Sequence, residues 1–278
     1  MNALQLGLIG ENIAASRAPQ LHRCCGRLVG LDIRYELLVP HELGLSFDTV
    51  FDHIAEKGWH GVNITLPYKE KAAARVKPGD PAIARIAAIN TVRLGSQGAE
   101  GFNTDYTGFM AAYRAAFGSM APGRVMLIGA GGLGKAVAFA LVELKAAHII
   151  VVDKNGATAR ALARTITQSS NRRTSARSGD IGAISQVNGV VNCTPLGMHG
   201  YPGSPVPHGL FPKDVWAFDA IYTPLETPFR AQAEAAGALF LSGYELFLHQ
   251  GVQAFEIFTG HKINDLDSLR SMLASCPV

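Results

Sequence analysis

The segment Val125-Met126-Leu127-Ile128-Gly129-Ala130-Gly131-Gly132-Leu133-Gly134 decides the fold of this chain. Val125–Ile128 reads as a buried strand, the glycines as a turn, and Lys135–Leu144 as the helix that follows. Strand, glycine-rich turn and helix in that order are the context in which Gly-x-Gly-x-x-Gly binds a dinucleotide. Glycine permits the tight turn and lets backbone N–H groups approach a pyrophosphate at the helix N-terminus, where the dipole favours negative charge. The competing reading is an ordinary strand-to-helix turn of an α/β protein, and residues downstream decide between the two. Ile149-Ile150-Val151-Val152-Asp153 is a second apolar strand, ending in a carboxylate about 20 residues beyond the glycines, where the fingerprint expects one. A carboxylate there accepts hydrogen bonds from the adenosine ribose hydroxyls and repels a 2′-phosphate, so Asp153 points to NAD rather than NADP. The cation of Lys154 opposes that repulsion, unless it is a solvated lysine at a strand end.

A chain of 278 residues is expected to form two domains. Its 48% hydrophobic and 17% charged residues are those of a globular protein. A net charge of +3, with no basic run and no interleaved aromatics, argues against nucleic acid as a partner. Mild basicity favours an anionic cofactor and an acidic small-molecule substrate. Cys24, Cys25, Cys193 and Cys276 have neither metal-ligand spacing nor a disulfide framework, and read as reduced thiols of a cytoplasmic protein without a metal. No segment of signal-peptide type leads into the first strand, and no apolar run reaches membrane-spanning length.

The glycine turn lies almost halfway along the chain, so a segment of domain size precedes it. There Leu4–Ile9 reads as a strand, Pro19–Val29 as a helix, Tyr35–Val39 as a strand and Leu43–Lys57 as a helix. Val62–Ile64 is a short apolar strand before Pro67, Pro81–Ala88 reads as helical and Thr91–Leu94 as extended. The expected fold is α/β in two domains with a cleft between them. Residues 1–104, joined by C-terminal helices in 244–278, form a domain with a mostly parallel sheet, and 105–243 form a Rossmann-type dinucleotide-binding domain. Asp105–Ala116 is the expected linking helix, with strands near 125–128, 148–152, 188–191 and 216–220 in the second sheet. Asn171–Gly179 reads as a polar surface loop, Gly200–Pro207 as a flap rich in Gly and Pro, and Tyr244–Thr259 as a helix returning to the first domain.

Two polar motifs are unusual for purely structural segments. In Gly61-Val62-Asn63-Ile64-Thr65-Leu66-Pro67-Tyr68-Lys69, Asn63 and Thr65 share one side of an extended chain and Lys69 stands at the turn into a helix. At the C-terminal end of a parallel strand such groups face the crevice where α/β proteins bind ligands. A polar loop with a solvated lysine is the competing reading. In Gly101-Phe102-Asn103-Thr104-Asp105, an N-cap at Thr104 or Asp105 explains either residue, but capping does not explain Asn103 and Asp105 together. Between the motifs Asn90 interrupts the apolar run Ala88-Ile89-Asn90-Thr91-Val92; a buried amide there must bond a ligand hydroxyl or a neighbouring backbone group.

Taken in order, these segments resemble the shikimate/quinate dehydrogenase family. The resemblance rests on Ile9-Gly10, Ser16-Arg17-Ala18-Pro19, Asn63 to Lys69, Ile89-Asn90-Thr91-Val92, Asn103-Thr104-Asp105 and Gly129-Ala130-Gly131-Gly132. It continues through Asn192-Cys193-Thr194-Pro195-Leu196-Gly197-Met198, Asp219-Ala220-Ile221-Tyr222-Thr223-Pro224 and Gly243–Gln250. It implies reversible, metal-free, NAD(P)-linked oxidation of a ring hydroxyl, of shikimate to 3-dehydroshikimate or of quinate to 3-dehydroquinate. Lys69 is then the acid/base residue and Asp105 its partner. A lysine amine takes a proton only when neutral, so an aspartate beside it serves better to orient it and to bind the adjacent hydroxyl. The resemblance puts Asn90 and Asp105 on ring hydroxyls, and Ser16, Thr65, Tyr222 and Gln250 on the carboxylate or the ring. It gives the pyrophosphate to Gly129, Ala130, Gly131, Gly132 and Leu133, the adenosine ribose to Asp153 with Lys154 beside it, and the nicotinamide half to Thr194, Ala220 and Gly243.

Two departures qualify the match. Family members usually carry a second hydroxyl residue two positions after Ser16, where this chain has Ala18. One charge-assisted bond to the substrate carboxylate is then missing, worth roughly 1.5–3 kcal/mol, or about ten- to hundredfold in affinity, unless water or Arg17 compensates. Asp153-Lys154-Asn155 replaces the Asn-Arg-Thr-like run of NADP-specific members, which is similar to the NAD-preferring branch that includes quinate/shikimate dehydrogenases of catabolic type. A shikimate analogue bearing an amino group, with the same fold and cofactor, is one other expectation that Ala18 raises. A non-catalytic NAD-binding sensor is another, against which Lys69 and Asp105 count. Cys193 reads as a small packing residue, and the residues do not choose between monomer and homodimer.

Overall fold

The computed structural model describes residues 3–170 and 173–275. The chain divides into two compact units, Met1–Thr104 with Gln250–Val278, and Asp105–His249. The return to the first unit falls at Gln250, inside a helix rather than at its start.

The first unit contains β1 (Leu4–Ile9), α1 (Ala18–Val29), β2 (Ile33–Leu38), α2 (Phe47–Glu56), β3 (Gly61–Ile64), α3 (Lys69–Ala73), β4 (Lys77–Pro78), α4 (Pro81–Ile86), β5 (Thr91–Gly95) and β6 (Gly98–Phe102). Its sheet runs β2-β1-β3-β5-β6-β4. β1 pairs in parallel with β2 and β3, and β4 with β6; β5 alone is antiparallel to its neighbours β3 and β6, so the sheet is mostly parallel, as expected, with one reversed strand. The cause is a tight β5–β6 hairpin, turned at Gly98 with φ 99°. α2 buries Phe47, Val50, Phe51 and Ile54, the spacing of one helical face, against Ile9, Val62, Ile64 and Val92. It starts four residues later than the apolar spacing suggests. Ser46 caps it by accepting the Thr49 N–H, Gly44 turns at φ 65°, and Leu43 and Leu45 stay exposed in the turn before it.

The second unit opens with α5 (Thr104–Phe117), whose first residue still belongs to the first unit. β7 (Arg124–Ile128), α6 (Gly132–Glu143), β8 (His148–Val152), α7 (Gly156–Ser169), β9 (Ser175–Ser178), β10 (Gly189–Asn192), β11 (Trp216–Asp219), α8 (Pro228–Ala235) and β12 (Leu239–Ser242) follow. α9 (Gly243–Thr259) and α10 (Leu266–Ser275) complete the chain. The second sheet runs β12-β11-β10-β7-β8-β9 with every pairing parallel. Read from β9, this is the doubly wound order 3-2-1-4-5-6, whose direction reverses between β7 and β10. The four apolar strands fall where expected; the two outermost were not anticipated. Ser175–Ser178 is an edge strand inside the presumed polar loop, of which Asn171 and Arg172 lie outside the described residues. Its polar sequence hides it, and it is held by β8 and by the Thr167 hydroxyl, which bonds the Ala176 backbone. β12 had no expectation attached to it. Residues 200–207 carry no helix or strand, and among the described residues no helix is long and apolar enough to cross a membrane. Cys24 and Cys25 are buried, Cys193 is half-buried, and Cys276 lies outside the described residues.

α5 lays an aromatic ladder on β11. Phe109 meets Phe218 edge-on at 5.0 Å and Tyr113 meets Trp216 edge-on at 5.1 Å. Trp216 satisfies its indole N–H on the Pro122 carbonyl at 3.0 Å, whereas the fully buried Tyr113 hydroxyl has no hydrogen-bond partner among the described residues. Burial pushes the Tyr113 phenol up to about 12. Removing an unpaired buried hydroxyl removes its desolvation cost. Tyr113→Phe is therefore expected to leave stability unchanged or raise it by about 1 kcal/mol, measured by urea unfolding; a loss of that size would mean the hydroxyl is satisfied.

Candidate functional site

The glycine turn leaves β7 at Ile128, and Gly129 takes φ 101°. A Cβ on Gly129 would stand 2.8 Å from the Cys193 backbone, and one on Gly134 only 1.9 Å from the Gly129 carbonyl oxygen. No side chain fits at either position, so α6 passes directly beneath the turn. α6 starts at Gly132, three residues before the expected Lys135, with Leu133 half-buried. Its N-cap Gly131 is exposed and supplies no side-chain bond, so the first N–H groups of this 12-residue helix have no side-chain cap. This cradle fits a pyrophosphate. Asp153 closes it from the end of β8. One carboxylate oxygen accepts the Ala130 N–H at 2.7 Å and the other the Asn155 N–H at 2.8 Å, while Lys154 is exposed.

On the other side of the reversal point, β10 and β11 end in a buried polar pair. The Asn192 amide nitrogen donates to Asp219 at 3.0 Å and to the Leu196 carbonyl at 3.3 Å. Its oxygen accepts the Thr194 N–H at 2.9 Å and the Thr194 hydroxyl at 2.7 Å. Asp219 also accepts the Ile221 N–H at 3.1 Å and the Thr227 hydroxyl at 2.5 Å. One carboxylate thus fixes the Thr194 turn, the loop leading to Tyr222 and, through Thr227, the cap of α8. Tyr222 stacks on Phe247 at 4.7 Å. A Cβ on Gly243 would lie 2.6 Å from the Ala220 carbonyl oxygen, so these two segments touch backbone to backbone. Asn192, Asp219 and Thr227 had no role in the sequence reading; Asn192 and Asp219 were signalled only by membership of motifs, and Thr227 by nothing.

In the first unit Ser16 Oγ accepts the Ala18 N–H at 3.3 Å. Arg17, the residue expected to compensate for Ala18, instead donates to the Leu273 carbonyl of α10 at 2.5 Å. Thr65 continues the chain after β3, its N–H on the Ile9 carbonyl and its methyl filling the space over Gly10. Asn63 does not face a crevice. It is buried, accepts the Tyr35 hydroxyl at 2.8 Å, and donates to the Asn90 carbonyl and the Thr91 hydroxyl at 3.2 Å. Asn90 has a backbone partner: its oxygen accepts the Thr104 N–H at 2.7 Å. Its nitrogen donates to Thr104 Oγ1 at 2.9 Å and to Gln250 Oε1 at 3.4 Å. Asn103 donates to the Ala88 carbonyl at 2.8 Å. Lys69, half-buried, opens α3, and Asp105, buried, is the second residue of α5; they belong to different units. Among the described residues no cluster of His, Cys, Asp and Glu is arranged to hold a metal.

Burial raises the Asp219 carboxyl above its ordinary range, against the bonds from Thr227, Ile221 and Asn192. A raised folded-state value means that the group favours folding below the carboxylate range and loses that contribution as pH rises through it. Asp219→Asn removes the titration. Its stability relative to the native protein is expected to improve as pH rises from 3 to 7 (roughly the span in which a raised carboxyl titrates), followed by urea unfolding; a constant difference would contradict the assignment.

Residues 8–92 match the family model of the shikimate dehydrogenase substrate binding domain, and residues 112–192 that of shikimate / quinate 5-dehydrogenase. A quinate/shikimate dehydrogenase (NAD(+)) of Corynebacterium efficiens is 34% identical over 282 residues, covering 99% of each chain. A shikimate dehydrogenase (NADP(+)) of Streptomyces avermitilis is 35% identical over 96% of this chain and 93% of its own. In three dimensions the chain is similar to quinate dehydrogenase from Corynebacterium glutamicum in complex with NAD, with a TM-score of 0.89, 32% identity and 99% of both chains covered. The mostly parallel sheet of the first unit, the doubly wound sheet of the second and these full-length matches agree: the chain belongs to the shikimate/quinate dehydrogenase family.

Proposed function

We propose that this protein is an NAD-dependent dehydrogenase that reversibly oxidises a ring hydroxyl of shikimate or quinate. The observation that carries the reading is the full-length similarity to quinate/shikimate dehydrogenases, joined to a carboxylate at the end of β8. Overall identity does not choose the cofactor, because NAD- and NADP-linked relatives stand at 34% and 35%. Local chemistry does: Asp153 occupies the ribose end of the glycine turn with an anionic group that disfavours a 2′-phosphate. Gly129 to Leu133 hold the pyrophosphate on the N-terminus of α6, and Thr194, Ala220 and Gly243 flank the nicotinamide half. When bound, NAD accepts hydride from the ring carbon.

The chain's own residues do the rest. Lys69 takes the hydroxyl proton, and Asp105 orients it and binds the neighbouring hydroxyl. Asn90 binds a second hydroxyl, while Ser16, Thr65, Tyr222 and Gln250 hold the carboxylate and the ring. Ala18 leaves the carboxylate with one hydroxyl donor fewer, and Arg17 is occupied at α10, which favours a weakly held acid. An amino-substituted substrate and a non-catalytic sensor gain no support from the three relatives described above, which carry dehydrogenase names.

Initial rates with shikimate and quinate, each paired with NAD and NADP, test the proposal. Saturable turnover of either acid with NAD is expected, and inactivity of all four pairs would overturn it. Lys69→Ala should lower kcat by about two to four powers of ten with NAD binding retained; unchanged turnover would remove Lys69 from its role. Asp153→Asn should raise the NADP/NAD ratio of kcat/KM by about tenfold. It should also weaken NAD itself, because an amide must set an N–H against either Ala130 or Asn155. An unmoved ratio would show that Asp153 does not face the ribose.

A further inference from the structure

Two loops of the first unit carry the carboxylate-binding end and the acid/base end of the proposed site, and one side-chain bond joins them. The segment after β1 runs from Gly10 to Arg17 and holds Ser16; the segment after β3 runs from Thr65 to Lys69. Backbone bonds tie the two at their roots. The Thr65 N–H donates to the Ile9 carbonyl and the Glu11 N–H to the Leu66 carbonyl, each at 2.9 Å. Beyond that point both segments leave the sheet. Asn12 turns away with φ 52°, and Asn12, Ala14, Ala15, Leu66 and Pro67 are exposed. Across this thin stretch the Tyr68 hydroxyl donates to Glu11 Oε1, both residues being half-buried. The Tyr68 ring is itself fixed, stacked on Phe47 of α2 at 4.8 Å. Its backbone is bonded on both sides, the N–H to the Thr65 carbonyl at 2.9 Å and the carbonyl to the Ala72 N–H at 2.8 Å. Burial and the Glu11 carboxylate push the Tyr68 phenol up to about 12, so the hydroxyl is a donor throughout the neutral range.

We infer that Tyr68 and Glu11 are positioning residues, whose bond keeps Lys69 in register with Ser16 and Thr65, so that the acid/base group meets the reacting hydroxyl while the other end of the substrate is gripped. The inference rests on the proposed roles of Lys69, Ser16 and Thr65. Lys69 follows Tyr68 directly, and its carbonyl accepts the Ile89 N–H at 3.0 Å. Its backbone is therefore held on one side by the approach to β5 and on the other by Tyr68. α3 adds little rigidity of its own, being five residues long with no side-chain bond at its N-cap. Proton transfer needs the amine within about 3 Å of the hydroxyl, and a misplacement of about 1 Å costs about a hundredfold in rate. A carboxylate acceptor makes the tie stronger than one between neutral groups. Glu11 also places a negative charge on the loop that grips an acid, a cost for which the bond to Tyr68 accounts.

Three substitutions separate the tie from the bulk around it. Tyr68→Phe keeps the ring on Phe47 and deletes only the hydroxyl. Glu11→Ala deletes the acceptor, and Glu11→Gln keeps an acceptor oxygen without the charge. Steady-state rates with shikimate and quinate are measured on the full chain with NAD, and the Kd of NAD is measured alongside to report folding. Tyr68→Phe and Glu11→Ala are each expected to lower kcat by about tenfold, the order of one charge-assisted hydrogen bond, with the Kd of NAD unchanged. The double variant is expected to lose no more than either single one, and Glu11→Gln to keep most of the activity. A pair with a merely structural role would lower the amount of folded protein and leave kcat per NAD-binding site unmoved. The inference would be overturned by a kcat within about twofold of the unaltered protein in Tyr68→Phe or Glu11→Ala. Additive losses in the double variant, or a Glu11→Gln as impaired as Glu11→Ala, would overturn it equally. All three results would leave the dehydrogenase reading standing, whereas no turnover by the unaltered chain would overturn both.

Discussion

The passage of α6 beneath the glycine turn is the constraint on which the second unit depends. A Cβ at Gly134 would stand 1.9 Å from the Gly129 carbonyl oxygen, so the helix comes as close to the strand end as backbone alone allows. That approach brings the uncapped N-terminus of α6 to the point where the sheet order reverses, between β7 and β10. It also sets the turn against the Cys193 backbone, and hence against the loop that carries Thr194. Bulk at either glycine would force the helix away and separate the segments that the reversal brings together.

Around these close approaches, buried polar side chains are oriented by the backbone. The Ala130 and Asn155 N–H groups hold Asp153, the Ile221 N–H and the Thr194 N–H hold Asp219 and Asn192, and the Thr104 N–H holds Asn90. A backbone donor cannot exchange roles, so each amide has one workable orientation and each carboxylate is held as an acceptor. The arrangement is costly to disturb, since a partner removed leaves a buried polar group unsatisfied.

The central strands and the glycine turn were legible because their signals are local. Val125–Ile128 and His148–Val152 are apolar runs of the right length, and the glycines sit where a strand meets a helix. The edge strand Ser175–Ser178 was not legible, since its pairing with β8 rests on backbone bonds that polar side chains do not advertise. The start of α2 was misplaced because Leu43 and Leu45 continue the apolar spacing while Gly44 and Ser46 break the backbone. At the site, Asn90 was recognised as requiring a partner, but its partner is 14 residues away. Asn63 looked like a ligand group and is internal, because Tyr35, 28 residues away, claims its oxygen. Spacing along the chain identifies polar groups; only the folded backbone says which of them are already bonded.

The same sheets leave four strands with one side unpaired, and three of them discourage addition of a further strand. β4 is two residues long and ends in Pro78, which has no N–H to offer. β9 carries Arg177 among serines, and β2 exposes Arg34 and Glu36 on alternate positions. β12 is different: its sequence is Leu-Phe-Leu-Ser, and Leu239 is 58% exposed. Only its four-residue length blunts it, so self-association at high concentration or on partial unfolding would begin at this edge of the second sheet.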